Sequence, residues 1–227
     1  MSMVELLIVI CIISVLMALL LPAIQQSRVA ARNVQDANRM RQMGLAIHQH
    51  AELFGRLPVP GTENSGIDEG WSLAVLSGTA EGNQLAAFDR SSPLDATINL
   101  KVASQKRPDV FASDIDHQSH EPWDIAPLDD ATSKIPVLPS AYAFNGFIHN
   151  SRLEHLSTSQ TAMLCRFGTC GTWVNSPEFW SLDISADSIG QSTLLVGFAD
   201  GSVKRLTAVS DVIVDPEHLP NGPSTTP

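Results

Sequence analysis

The sequence predicts an α+β protein: a long N-terminal α-helical stem, membrane-spanning over its first half, packed on a small head with an antiparallel β-sheet. Three observations carry that prediction. Residues 6–21 hold no charge and one polar side chain, Ser14. From Ala30 to Phe54 apolar residues recur three or four positions apart, the period of one helix face. The final third of the chain breaks into short β-rich runs, two of them joined by Asp200 and Gly201.

Before Arg28 the only charged side chain is Glu5. A helix over residues 1–21 is about 31 Å long, and a bilayer core is about 30 Å thick. A cleaved secretory signal needs a basic start and a shorter apolar stretch. Nothing basic precedes Val4, so residues 1–24 read as a transmembrane helix. A carboxylate in such a span costs up to about 3 kcal/mol near its centre. Glu5 therefore either keeps its head in the interface or is retained for a partner charge.

Residues 25–55 continue as an amphipathic stem helix with the stripe Ala30, Val34, Ala37, Met40, Gly44, Ile47, Ala51 and Phe54. Pro22 removes a backbone hydrogen bond and predicts a kink. Gly55, Pro58 and Pro60 end the helix. His48 and His50 are two apart, face different sides and do not make a metal pair.

Residues 56–214 form the head and 215–227 a Pro-rich, loose tail. Residues 71–88 predict a short helix carrying Trp71, Val75 and Leu85, weakened by Gly78 and Gly82. Residues 89–140, with six prolines and many acids, predict a long ordered-loop region. Residues 141–148, 161–167 and 194–198 read as strands, with a further one over 207–214. Asp200 and Gly201 mark a hairpin, because Gly201 accepts the positive φ a tight turn needs.

Of 227 residues, 14 are basic and 24 acidic, a formal charge of −10. The stem, residues 1–55, carries four basic and three acidic ones, which leaves 10 and 21, and a charge of −11, for the rest. So acidic a chain lacks the basic face of a nucleic-acid binder. At 44 % apolar and 17 % charged residues it is not a disordered acidic chain either. Three cysteines are too few for a disulfide scaffold or a four-cysteine zinc site. The nucleophile-elbow, phosphate-loop and dinucleotide motifs are all missing, and the expectation is a protein that is not an enzyme. Trp173, Phe179 and Trp180 read as core packing ahead of an exposed aromatic patch.

The N-terminal run, with Met1, Glu5, the long apolar helix and Pro22, resembles the start of type IV pilins and type II secretion pseudopilins. The resemblance extends through Asn38, Gln42, Gly44, Ala46 and His48, then through Gly55 and Pro58. Further along, Gly70-Trp71-Ser72, residues 92–95, residues 140–146 and residues 198–203 fit a large pilin-like subfamily of unknown function. That subfamily carries a histidine ten positions before its final Asp-Gly. Here Gly190 stands there, and Ala112-Ser113-Asp114 replaces its Cys-Pro-Ser-Asp.

The resemblance implies a structural subunit anchored in the inner membrane, with its head periplasmic or extracellular. It implies assembly with itself or with other pilin-like subunits in a type II secretion or pilus-like filament. Met1 would be the first mature residue, N-methylated after prepilin peptidase removes a leader, and Glu5 would meet the N-terminal ammonium of a neighbour. The positive-inside rule, applied to Arg28, Arg32, Arg39 and Arg41, would instead place the head in the cytoplasm. A basic leader would remove that conflict. The alternative is an anchored extracytoplasmic binding or adhesion module that does not polymerise.

In an exported head Cys165 and Cys170 either close a disulfide across a hairpin or stay as thiols. No metal site is expected from the sequence, since His117 and His120 lack a zinc-protease order. The weak candidates for a structural calcium ion are Asp114 and Asp116, with Asp129, Asp130 and Asp200 as further oxygen donors.

Overall fold

The computed structural model describes residues 3–59, 70–113, 121–166, 172–174, 178–179 and 194–206. The chain divides into two compact units, Met1–Asp36 and Ala37–Pro227. The first unit is helical throughout its described residues: it is the N-terminal part of α1, Met3–Phe54, which runs through Pro22 without interruption.

Among its described residues the second unit holds the C-terminal turns of α1, two further α-helices, α2 (Trp71–Ser77) and α3 (Thr97–Gln105), and seven strands. The strands are β1 (Trp123–Ile125), β2 (Ile135–Val137), β3 (Tyr142–Asn145), β4 (Ala162–Arg166), β5 (Glu178–Phe179), β6 (Leu194–Phe198) and β7 (Val203–Leu206). β1 and β2 form a separate antiparallel pair, and the other five make one sheet in the order β5-β3-β4-β6-β7. The predicted α+β architecture, a long helix with small antiparallel sheets, is therefore the observed one. One pairing departs from it, because β5 lies parallel to β3, with Phe144 opposite Glu178.

Every residue of β3, β4 and β6 is buried, so both faces of the sheet centre are covered. On one side α1 lies close enough that a Cβ on Gly197 of β6 would come within 3.0 Å of Met40 Cγ. Met163 of β4 reaches back to Gly44, its Cε 3.5 Å from where a Cβ would stand. Elsewhere in the core a chain of five aromatic rings runs Phe144, Trp71, Phe111, Trp173, Phe88, with centroids 5.8–6.0 Å apart. Trp173 is thus core, as packing predicted, and its indole N–H donates to the Ala103 carbonyl at 3.2 Å. Each fully buried large apolar side chain contributes about 1.5–3 kcal/mol relative to exposure.

Three local expectations need correction. Of the predicted α1 stripe, Met40, Gly44, Ile47 and Ala51 are buried, joined by Met43, Ala46 and His50, whereas Val34 and Phe54 are 57 % exposed. Helical periodicity does not fix how wide the covered face is or where it ends. The predicted helix over 71–88 is split: α2 stops at Ser77 and a 3-10 turn, Gly82–Ala87, follows. Gly78 ends α2 where it presses on α1, a Cβ there falling 2.6 Å from Ala46 Cβ. The region read as loop contains α3. Its N-terminus is capped by Asp129, which accepts from the Thr97 amide at 2.8 Å and the Thr97 hydroxyl at 2.7 Å. A cap supplied from 32 residues away leaves no local signal.

Candidate functional site

Among the described residues, features that bear on function lie in the apolar segment of α1, at the turn of Asp200 and Gly201 and in a groove where α1 ends. In the first unit, Leu6, Ile10, Ile13 and Leu20 each keep more than half their surface exposed, and so do most of their apolar neighbours. The segment is long and apolar enough to cross a membrane. Its one hydroxyl is satisfied internally, Ser14 donating to the Ile10 carbonyl at 2.7 Å, so the helix presents no orphan polar group there. The backbone of Glu5 is helical. Met1 lies outside the described residues.

The β6–β7 turn is built as the sequence required, with one refinement. Gly201 has φ of +80°. The Gly201 amide donates to the Phe198 carbonyl at 2.9 Å and the Phe198 amide to the Ser202 carbonyl at 2.8 Å. The loop therefore has three residues, Ala199, Asp200 and Gly201, with the glycine in the left-handed position of a bulge. Asp200 closes it by accepting from the Ser202 amide at 2.8 Å. The Ala199 and Asp200 amides donate to the Thr161 and Thr158 carbonyls at 3.0 and 2.9 Å.

His48 of α1 completes this turn. Its Nε2 stands 2.8 Å from the Ala199 carbonyl oxygen and its Nδ1 2.7 Å from the Gly44 carbonyl oxygen. Carbonyl oxygens only accept, so a neutral ring donates to one of them and an imidazolium to both. His50 faces elsewhere, buried and 4.5 Å from the Phe54 ring, which agrees with the two histidines not forming a pair. The spacing pattern around His48 was visible in the sequence, but its partner 151 residues away was not.

The acidic candidates divide. Asp114, Asp116, His117, His120 and Cys170 lie outside the described residues. Asp129 is occupied as the α3 cap. Asp130 accepts from the hydroxyls of Ser133 and Thr132 and from the Thr132 amide, and these bonds hold its carboxyl down at about 2. Asp89 is held low by the Ser91 hydroxyl and amide and the Ser92 hydroxyl. These carboxylates shape turns. Among the described residues no group of three metal-ligating side chains converges. Cys165 is fully buried in β4.

A residue the sequence did not single out, Asn99, is a fully buried hub. Its Oδ1 accepts from the Asp89 amide at 2.8 Å, and its Nδ2 reaches the carbonyls of Asp89, Ser92 and Pro93 at 3.1, 3.2 and 2.8 Å. It pins Ser92 and Pro93, which begin one of the stretches that carries the family resemblance. Arg107 plays a similar part, donating to the Pro139 carbonyl at 2.6 Å. An open groove of about 690 Å³ lies where α1 ends, framed by Glu52, Phe54, Arg56, Asn150, Arg152 and Glu154. Arg56 donates to Asn150 Oδ1 at 3.0 Å, and Asn150 has φ of +59°.

No curated protein and no solved structure matches the chain. A model of a family described as a protein of unknown function, DUF1559, matches residues 25–140. The match starts just after the apolar segment and takes in the rest of α1, α2 and α3. It covers half of the 227 residues, and the chain belongs to the DUF1559 family.

Proposed function

We propose that this protein is a membrane-anchored, pilin-like structural subunit that assembles through its N-terminal helix, with its α+β unit outside the cytoplasm. The observation that supports this most is the apolar surface of α1 from Leu6 to Ile24, free of charge and exposed in the single chain. Exposed apolar side chains in that number need an apolar surrounding, which lipid supplies before assembly and neighbouring helices supply after it. Glu5 then pairs with the N-terminal ammonium of an adjacent subunit. In lipid that pairing offsets the desolvation of both groups and sets the register. Prepilin peptidase and N-methylation at Met1 belong to the same reading, and Pro22 gives the helix a point where it can bend.

The test is Glu5→Leu in cells that make the protein. The expected result is that the chain still fractionates with membranes but no longer enters sheared surface filaments or crosslinks to its own kind. Normal assembly of the variant, or no self-crosslinking of the parent chain, refutes the subunit reading. The second reading, an anchored binding module, draws on the groove beside Arg56 and Arg152. It predicts that charge reversal at Arg152 changes what the protein retains while leaving its membrane association intact.

A further inference from the structure

The charge pattern of the first unit carries an inference beyond anchoring itself. After Ile24 the chain has three uncharged polar residues, Gln25, Gln26 and Ser27, then Arg28 and, four residues on, Arg32. Along the helix these arginines stand about 6 and about 12 Å beyond Ile24. The headgroup layer extends roughly 5–7 Å beyond the hydrocarbon on each side of a bilayer. Arg28 therefore falls within that layer, and the side chain of Arg32 is long enough to fold back to its rim. Residues four apart share a helix face, so the two guanidinium groups point the same way.

Both arginines are exposed, and neither makes a hydrogen bond or ion pair among the described residues. This separates them from Arg39, which donates to the Ala112 carbonyl at 3.1 Å, and from Arg41, which donates to Asn38 at 3.0 Å. Two exposed guanidinium groups on one face, one within the headgroup layer and one reaching its rim, have an obvious complement. We infer that Arg28 and Arg32 form a basic collar that binds the phosphates of anionic phospholipids where α1 leaves the membrane. Guanidinium forks match phosphate oxygens bidentately. The collar sets the depth at which the apolar segment rides, because drawing the helix inward would bury two charges. This rests on the membrane-anchoring reading and not on filament assembly.

The experiment uses the full chain reconstituted in nanodiscs of equal phosphatidylcholine and phosphatidylglycerol. Lipids that stay with the protein after mild detergent exchange are counted by native mass spectrometry. Each arginine should enrich the anionic lipid about fivefold. The parent chain should show a clear excess of phosphatidylglycerol, Arg28→Gln with Arg32→Gln should bring the ratio near unity, and Arg41→Gln should leave it unchanged. Raising the salt to 0.5 M, an ionic strength that screens exposed charges within roughly 4–5 Å, should weaken the preference. Flotation with vesicles of the same lipids is measured in parallel. A chain that floats but shows no anionic preference, or one whose preference survives the double substitution, overturns the collar alone. A chain that does not float overturns the anchoring reading and the collar with it.

Discussion

His48 Nε2 lies 2.8 Å from the carbonyl oxygen of Ala199, joining the C-terminal part of α1 to the turn between β6 and β7. This bond ties a helix residue to the end of the sheet, 151 positions later in the chain. It also fixes the ring, because Nδ1 is held at 2.7 Å from the Gly44 carbonyl on the same helix. The Asp200–Gly201 turn is therefore held by the helix on one side and by Thr158 and Thr161 on the other.

Removing that ring should loosen the turn. His48→Ala is expected to cost about 1–3 kcal/mol, the range for leaving a half-buried acceptor without its donor. Urea unfolding of the detergent-solubilised chain should show a lower midpoint with an unchanged slope. Gln42→Ala, on the exposed side of the same helix, should stay within about 0.5 kcal/mol. Equal midpoints for His48→Ala and the parent would remove His48 from this role.

Two glycines against α1 should respond unequally to alanine. At Gly78 the new Cβ would meet Ala46 Cβ at 2.6 Å and the Ala46 backbone Cα at 2.9 Å. At Gly197 it would press on the Met40 side chain, at 3.0 and 3.1 Å, and touch Leu164 Cβ at an ordinary 3.5 Å. Backbone cannot move aside cheaply and methionine can. Gly78→Ala is expected to cost about 1–3 kcal/mol and Gly197→Ala less than about 1.5 kcal/mol. The reverse order of thermal midpoints would contradict this packing.

The buried amide of Asn99 makes its own prediction. Asn99→Ala leaves the Asp89 amide and three loop carbonyls to find other partners, with an expected loss of about 2–3 kcal/mol. Asn99→Asp should be no better, since a carboxylate cannot donate to those carbonyls. Hydrogen exchange should quicken over residues 89–93 in both variants while β6 stays protected. A uniform change across the sheet would point to general destabilisation instead.

Asp130 should titrate well below an ordinary carboxyl. The hydroxyls of Ser133 and Thr132, with the Thr132 amide, favour its charged form and bring its pKa to about 2 from 3.8. A lowered folded value means these bonds stabilise the turn fully above the usual carboxylate range. That contribution fades as the pH falls from about 4 through about 2. The carboxyl carbon resonance of Asp130, followed from pH 6 to pH 1.5, should have its midpoint near 2, and Ser133→Ala should raise it. A midpoint near 4 in the parent would show that the turn does not hold in solution.

What the sequence determined alone are the features whose cause is local. The apolar run needs no partner to be read, since its length and lack of charge are properties of consecutive residues. The stop at Gly55 is equally local, and the structure gives that residue a φ of +72°. So are the strands at residues 142–145, 162–166 and 194–198, and the Gly201 turn, because β-rich runs and a residue tolerant of positive φ announce themselves. Tertiary structure decided the rest. It added Met43, Ala46 and His50 to the buried face of α1 and left Val34 and Phe54 of the predicted stripe exposed, because helical periodicity does not fix how wide the covered face is or where it ends. It placed α3 in a Pro-rich stretch, because the cap that starts the helix comes from Asp129, far along the chain. It gave His48 its partner and Asn99 its four bonds, because a side-chain hydrogen bond depends on what the fold brings within 3 Å, and sequence spacing does not encode that distance.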